Sequence, residues 1–269
     1  MKLQTVEARQ GARWLKQGFR TFFGHPMAFA ALFASFMFVA FLFMLLPFVG
    51  VLLVLALLPL MSLGFMIATR VAIDGGVPTL RVFIDPLRAD RPRVKAMLQL
   101  GLIYVVATLA VIWLSDLADG GALEALMESL PAGQTSPQVM ADKLNNASLL
   151  LGLLLRFGLA GLLSVPFWHA PALVYWEGHG CAKALFSSTL ACWRNRGAFT
   201  VYGLSWVAVI TLVGIVGGQV FALLGQSQAF AVALVPLSLL LTTVFYVSLY
   251  FTFADCFKAG ESELIADAA

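Results

Sequence analysis

The chain has 269 residues, 61% of them hydrophobic and only 12% charged, with a mean hydropathy of +0.91 and a formal charge of +3. Water-soluble domains carry roughly 25% charged residues, so this composition excludes an ordinary soluble fold. The apolar residues fall in runs of about 20, the length of a helix that crosses a bilayer, which points to a polytopic helical membrane protein and excludes an outer-membrane barrel built from strands of about ten residues.

From Arg9 to Phe23, cations recur at Arg9, Arg13, Lys16 and Arg20. Ala8, Ala12, Leu15, Phe19 and Phe22/Phe23 recur on an adjoining face. This spacing predicts an interfacial amphipathic helix, with its rings toward the membrane and its cations among anionic headgroups. The plainer alternative is a positively charged flank that only fixes orientation. Gly24-His25-Pro26 breaks the segment.

Met27 to Thr69 follows, 43 residues without Lys, Arg, Asp, Glu or His. That is enough for two crossings, predicted at 27-47 and 49-69, and the reversal is expected at Pro47-Phe48-Val49-Gly50, where Pro removes a donor and Gly permits a tight turn. The first apolar run is too long for a cleavable signal peptide, and no small-residue cleavage site follows it.

Between Arg70 and Lys95, Asp74-Gly75-Gly76 reads as a turn. Leu80, Phe83, Ile84 and Leu87 then face one way, and Arg81, Asp85 and Arg88 the other, as in a short amphipathic helix. Asp90-Arg91-Pro92 opens the third span, 94-115. The stretch from Asp116 to Ala147 is an acidic loop, with two short helices expected either side of Pro131-Ala132-Gly133. The fourth span is placed at 148-170, interrupted near Pro166 and Pro171. A third amphipathic stretch spaces Phe186, Leu190 and Trp193, and spans at 200-223 and 229-253 complete six in one integral domain, 1-269.

Lys and Arg set the orientation. Five precede the first span, six follow the second, three follow the fourth and one follows the sixth, against Lys143 alone on the other side. The positive-inside rule therefore predicts that both termini are cytoplasmic. An amphipathic segment before spans one, three and five, each leading into a hairpin, reads as three repeats of one unit; the plainer reading is that any six-span chain has three such starts.

Among residues that could carry chemistry, Arg156 lies inside the fourth span. A cation there must face protein or water, either in a polar site or in a structural pair with Asp116. His169, Glu177 and His179 do not have the spacing of a metal site. Asp255 ends the sixth span, open to a capping or a proton-relay role, and Gly214-x-x-x-Gly218 is a helix-packing spacing. Cys181, Cys192 and Cys256 form no CxxC pair, so neither a disulfide nor a metal is implied. No nucleophile elbow, Walker loop, dinucleotide fingerprint or HExxH occurs, so no cofactor, no catalytic residue and no nucleic-acid partner is expected.

The segments Trp168-His169-Ala170-Pro171-Ala172-Leu173-Val174-Tyr175-Trp176 and Lys183-Ala184-Leu185-Phe186-Ser187-Ser188, with the opening Met1-Lys2-Leu3-Gln4-Thr5-Val6 and Leu63-Gly64-Phe65-Met66, resemble a family of uncharacterised six-span inner-membrane proteins of proteobacteria. More distantly, the chain is similar to the membrane domain of some glycerophosphodiester phosphodiesterases, whose catalytic domain it lacks. The resemblance implies an inner-membrane location and no established activity. The expected role is lipid-surface engagement or partner binding, with anionic lipid or a second copy as candidate partners. The alternative is a small transporter or channel with a polar site near Arg156 and Asp116.

Overall fold

The structure is a computed structural model and describes residues 2–123 and 147–258. A two-residue strand β1 (Lys2–Leu3) leads to α1 (Gln10–Gly24), α2 (Pro26–Met44), α3 (Val49–Ile73), α4 (Arg81–Ile84) with a 3₁₀ turn at Asp85–Arg88, and α5 (Arg91–Asp119). Then come α6 (Ala147–Phe167), α7 (Ala170–Glu177), α8 (Cys181–Arg194), α9 (Arg196–Leu223), α10 (Ser227–Cys256) and β2 (Phe257–Lys258). Six stretches are long and apolar enough to cross a membrane: α2, α3, α5, Ser148–Glu177, α9 and Val232–Cys256. The predicted six-span all-helical fold is therefore observed. The short helices expected around Pro131 lie outside the described residues.

The lengths separate two zones. α2 has 19 residues, about 28 Å, and just crosses the roughly 30 Å hydrocarbon core. α5, α9 and α10 have 29, 28 and 30 residues, about 42–45 Å, and must project beyond it. The core gathers at one end of the bundle. The buried residues of α2 are Phe29, Leu32, Phe33 and Phe36, in its first half, while α9 buries only Ala198, Tyr202 and Trp206, in its first three turns. α3 and α10 bury their C-terminal halves, Pro59 to Thr69 and Thr243 to Cys256. The first and last described residues meet there: Leu3 pairs with Phe257 in the antiparallel β1–β2 ladder, and the Gln4 N–H donates to the Cys256 carbonyl at 2.8 Å.

α1 differs from the expectation. Its apolar stripe does not face lipid but packs along α9 and α10 through Gly11, Trp14, Leu15, Gly18 and Phe22. The two glycines explain why. A β-carbon at Gly11 would lie 2.1 Å from the Ala198 carbonyl oxygen, and one at Gly18 would lie 2.6 Å from Ser248 Cβ, so the backbones touch where the sequence reading placed lipid. The buried stripe is one step round the helix from the predicted face, and Ala8 and Ala12 are exposed.

The α2–α3 reversal also differs. The positive φ of 63° belongs to Phe48, held in a γ-turn by the Val49 N–H donating to the Pro47 carbonyl at 2.7 Å. Gly50 is not the turn residue; it lets α3 approach α2, since a β-carbon there would lie 2.0 Å from the Phe43 carbonyl oxygen. In α4 the packed residues are Val82, Phe83 and Pro86, while Leu80, Ile84 and Leu87 are exposed. Phe83 sits against the face of Gly64 and beside the Phe36 and Phe65 rings, which leaves the rest of the predicted apolar face free. Of the Gly214–Gly218 stretch, Gly217 and Gly218 lie against the Phe230 ring within the chain, and Gly214 faces open space.

Candidate functional site

The fourth crossing is broken at Trp168-His169, where Pro171 in the first turn of α7 cannot donate back to α6. The break is stitched by neighbours. The Ser188 hydroxyl donates to the freed Val165 carbonyl at 2.9 Å and accepts from the His169 N–H at 3.0 Å. Thr252 receives the Trp168 indole N–H at 3.1 Å and lies 3.1 Å from His169 Nε2. His169 is fully buried among the rings of Phe199, Phe253 and Phe257. It is a core residue. Glu177, the last residue of α7, and His179 just after it lie along a small cavity with Leu3 and Phe257.

The same end holds α1 in place. Asp255 accepts the Trp14 indole N–H at 2.7 Å and the Gln10 amide at 2.6 Å. Asn195, buried between α8 and α9, receives the Val6 N–H at 2.8 Å and donates to the Gln4 carbonyl at 3.0 Å. Asp255 therefore clamps a helix, an arrangement that neither the capping nor the relay reading described. Around Trp14, the rings of Phe199 and Tyr202 pack at 5.3 and 6.0 Å between centroids, and the Tyr202 hydroxyl bonds Ser248 at 2.5 Å.

With its apolar stripe covered by protein, α1 turns Arg9, Arg13, Lys16 and Arg20 outward. Arg9 pairs with Glu7; among the described residues Arg13, Lys16, Arg20, Arg81 and Arg88 have no carboxylate at ion-pair distance. The exposed Leu80, Ile84 and Leu87 lie beside the last two cations, so α4 presents an amphipathic surface.

Beside this end a cleft of about 750 Å³ opens between α6, α8, α9 and α10. Arg196 and Trp193 stand at its mouth, the guanidinium 5.7 Å from the indole centroid, and Trp168, Trp206 and Phe245 line its wall. Cys192 also lines it; burial pushes that thiol up to about 12, so it is an inert neutral group at physiological pH.

The other predicted site lies at the far end. Arg156 Nη2 donates to the Asp116 carboxylate, with side chains 28% and 51% exposed. Asp119, one turn on, is buried against Gly152, and its Oδ1 accepts the Gly121 N–H at 2.8 Å. Among the described residues, Asp119 Oδ2 and Arg156 Nε are buried without a hydrogen-bond partner. The structure thus brings Arg156 and Asp116 together, far from the cation row of α1. All three cysteines are buried free thiols.

The sequence reading missed Trp14, Asn195, Ser188 and Thr252. The one signal within its reach was the seven-residue spacing of Gly11 and Gly18 around Trp14, which puts two small residues and an aromatic on one helix face.

Six apolar crossings capped at one end by short basic helices define an integral membrane protein of the helical-bundle class. The chain is 36% identical over 262 residues to a probable inner membrane protein of Burkholderia thailandensis, covering 97% of this chain and 96% of that one, and it belongs to the same family of inner-membrane proteins. No protein-family model and no solved structure matches it, and the more distant likeness to phosphodiesterase membrane domains gains no support.

Proposed function

We propose that this is a non-enzymatic inner-membrane protein whose basic end faces the cytoplasm and gathers anionic lipid headgroups around the short helices preceding the odd-numbered spans. The observation that carries this reading is the set of exposed cations Arg13, Lys16, Arg20, Arg81 and Arg88, with no carboxylate at ion-pair distance among the described residues, next to the exposed Leu80, Ile84 and Leu87. Each Lys or Arg near an anionic surface is worth about 1 kcal/mol, so four or five together enrich acidic lipid strongly. The cytoplasmic orientation is supported by the placement of Lys and Arg.

The test is the selectivity of the full-length protein for spin-labelled phosphatidylglycerol over phosphatidylcholine in mixed bilayers. Selectivity falls toward unity in Arg13→Glu with Lys16→Glu, and further when Arg81→Glu and Arg88→Glu are added. Unchanged selectivity sinks the proposal.

A second reading, a small transporter or channel with a polar site near Arg156, draws on two buried atoms there that have no partner among the described residues, Arg156 Nε and Asp119 Oδ2. It requires a water path, so Leu155→Cys would react with polar thiol reagents from at least one side. Gly152 does not suit this experiment, because a β-carbon there would lie 2.4 Å from Asp119 Cβ.

A further inference from the structure

From the cleft between α6, α8, α9 and α10 we infer a binding site for one phospholipid of the leaflet next to the basic end, with its acidic headgroup on Arg196 and a tail along Trp206 and Phe245. This deepens the lipid-engaging reading and rests on it for the class of ligand, while the site itself stands on the cleft's own geometry.

Size comes first. A volume of about 750 Å³ falls within the roughly 300–1,000 Å³ of ligand pockets. The cleft runs along α9 from Arg196 to Ile210. Those fourteen steps rise about 21 Å. A bilayer with its headgroups is about 40–45 Å thick, so the cleft is one leaflet deep.

Polarity is sorted along the same axis. At the mouth the Arg196 guanidinium is exposed, rests on the exposed Trp193 ring, and has no carboxylate at ion-pair distance among the described residues. It is free to take a phosphate, and an indole with a cation beside it is the usual furniture of the headgroup level. Deeper, the hydroxyls of Ser164 and Ser238 are turned onto their own helices, donating to the Gly161 and Val235 carbonyls at 2.6 and 2.8 Å. What remains for a ligand at that depth is mostly apolar, apart from the exposed Thr242 hydroxyl and the Trp206 indole N–H, which has no partner among the described residues. Such walls suit a lipid tail.

Gly203 gives a way to close the cleft without disturbing the bundle. It lies on the wall in regular helix, and a β-carbon there meets nothing within 4 Å. Gly203→Leu therefore fills ligand space while raising helix propensity.

The experiment is native mass spectrometry of the full-length protein released from nanodiscs of phosphatidylcholine with a minority of phosphatidylglycerol. Wild type is expected to keep one phospholipid per protomer, enriched in phosphatidylglycerol. Gly203→Leu loses retained lipid of both kinds, with melting and circular dichroism as in wild type. Arg196→Gln keeps a lipid but loses about tenfold of the preference for the acidic headgroup, the size of one charge-assisted hydrogen bond. On the unmutated protein, phosphatidylglycerol brominated along its tails quenches emission, and the quenched fraction drops in Trp206→Phe. A Gly203→Leu protein that retains lipid as wild type does, or that loses a dimer instead of a lipid, overturns the site. Arg13→Glu with Lys16→Glu separates the two readings. If that pair leaves retention unchanged while Gly203→Leu abolishes it, the cleft stands even if surface selectivity fails. If only the surface pair changes lipid content, the cleft is wrong and the surface reading survives.

Discussion

The two ends of this bundle are built from the same apolar vocabulary and solve different problems. At the end where β1 and β2 pair, the helices outrun the hydrocarbon core, and α1 lies against α9 and α10 in close contact at Gly11 and Gly18, backbone to backbone at the first. Polar side chains there join elements far apart in sequence: Asp255 to Trp14 and Gln10, Asn195 to residues 4 and 6, Thr252 to the break at His169. At the other end contacts join neighbours in pairs, α2 to α3 and α5 to α6, and much of the spans' surface is exposed. Of the most apolar window of α9 only 6% is buried, against 39% for α3. Lipid has no aversion to apolar surface, so that half needs no protein cover, and helix association in a membrane falls instead to close packing and hydrogen bonds. The difference teaches that specificity here is concentrated where the chain leaves the hydrocarbon core.

The largest effect should therefore come from wedging the two closest backbones apart. Gly11→Leu cannot be accommodated, because the obstacle is the Ala198 carbonyl rather than a movable side chain. It should cost at least about 3 kcal/mol, by analogy with severe overpacking, and release α1 to protease. Gly214→Leu on the lipid-facing side of the same α9 should change the detergent melting temperature by nothing measurable. If both variants melt alike, the contrast between the ends is wrong.

Next comes the clamp. Asp255→Ala leaves the fully buried Trp14 indole N–H without its acceptor and should cost about 1–3 kcal/mol. Asp255→Asn should recover part of that, since an amide oxygen still accepts. Equal losses in the two variants would mean that charge, not the hydrogen bond, holds α1.

How much of this was legible beforehand follows the same division. Runs of about 20 apolar residues fix the crossings because the bilayer sets one length for all of them, and the observed spans agree with the predicted ones to within a few residues at most ends. The amphipathic segments were visible too, but not what covers them. Periodicity shows that α1 has an apolar side; it does not say whether lipid or α9 lies against it, and Gly11 and Gly18 carry almost no weight in a hydropathy count. The pairing of Asn195 with residues 4 and 6 is invisible for another reason: it joins positions about 190 apart, which only the closed bundle brings together. The cleft was unreadable for a third reason. It is the space left between four helices whose mutual distances no single stretch of sequence encodes.

A smaller effect tests the far end alone. Phe48 is 95% exposed and holds a positive φ at the α2–α3 turn, a conformation that costs an ordinary residue about 1 kcal/mol or more. Phe48→Gly should leave the fold intact and raise stability by up to about 1 kcal/mol, read as a higher melting temperature. A drop would show that the exposed ring is anchored in the membrane interface, where aromatic side chains are favoured, and that the ring matters more than the backbone strain.

The smallest expected effect is the most informative about what fills the far end. Arg156 and Asp116 are partly exposed, and an exposed pair of this kind is worth about 0–1 kcal/mol in water. A double-mutant cycle with Arg156→Ala and Asp116→Ala should give a coupling in that range, and the coupling should shrink in high salt, because mobile ions screen charges that water can reach. In dry surroundings the outcome differs in both respects. There, removing one partner strands the other charge in a low dielectric, the single variants cost about 3–5 kcal/mol, and added salt changes little. The first result means that water penetrates between α5 and α6 as far as Arg156, which is what a polar path through the bundle would need to begin. The second means that the pair is sealed in lipid and protein, and that the open end of the bundle is open to lipid alone.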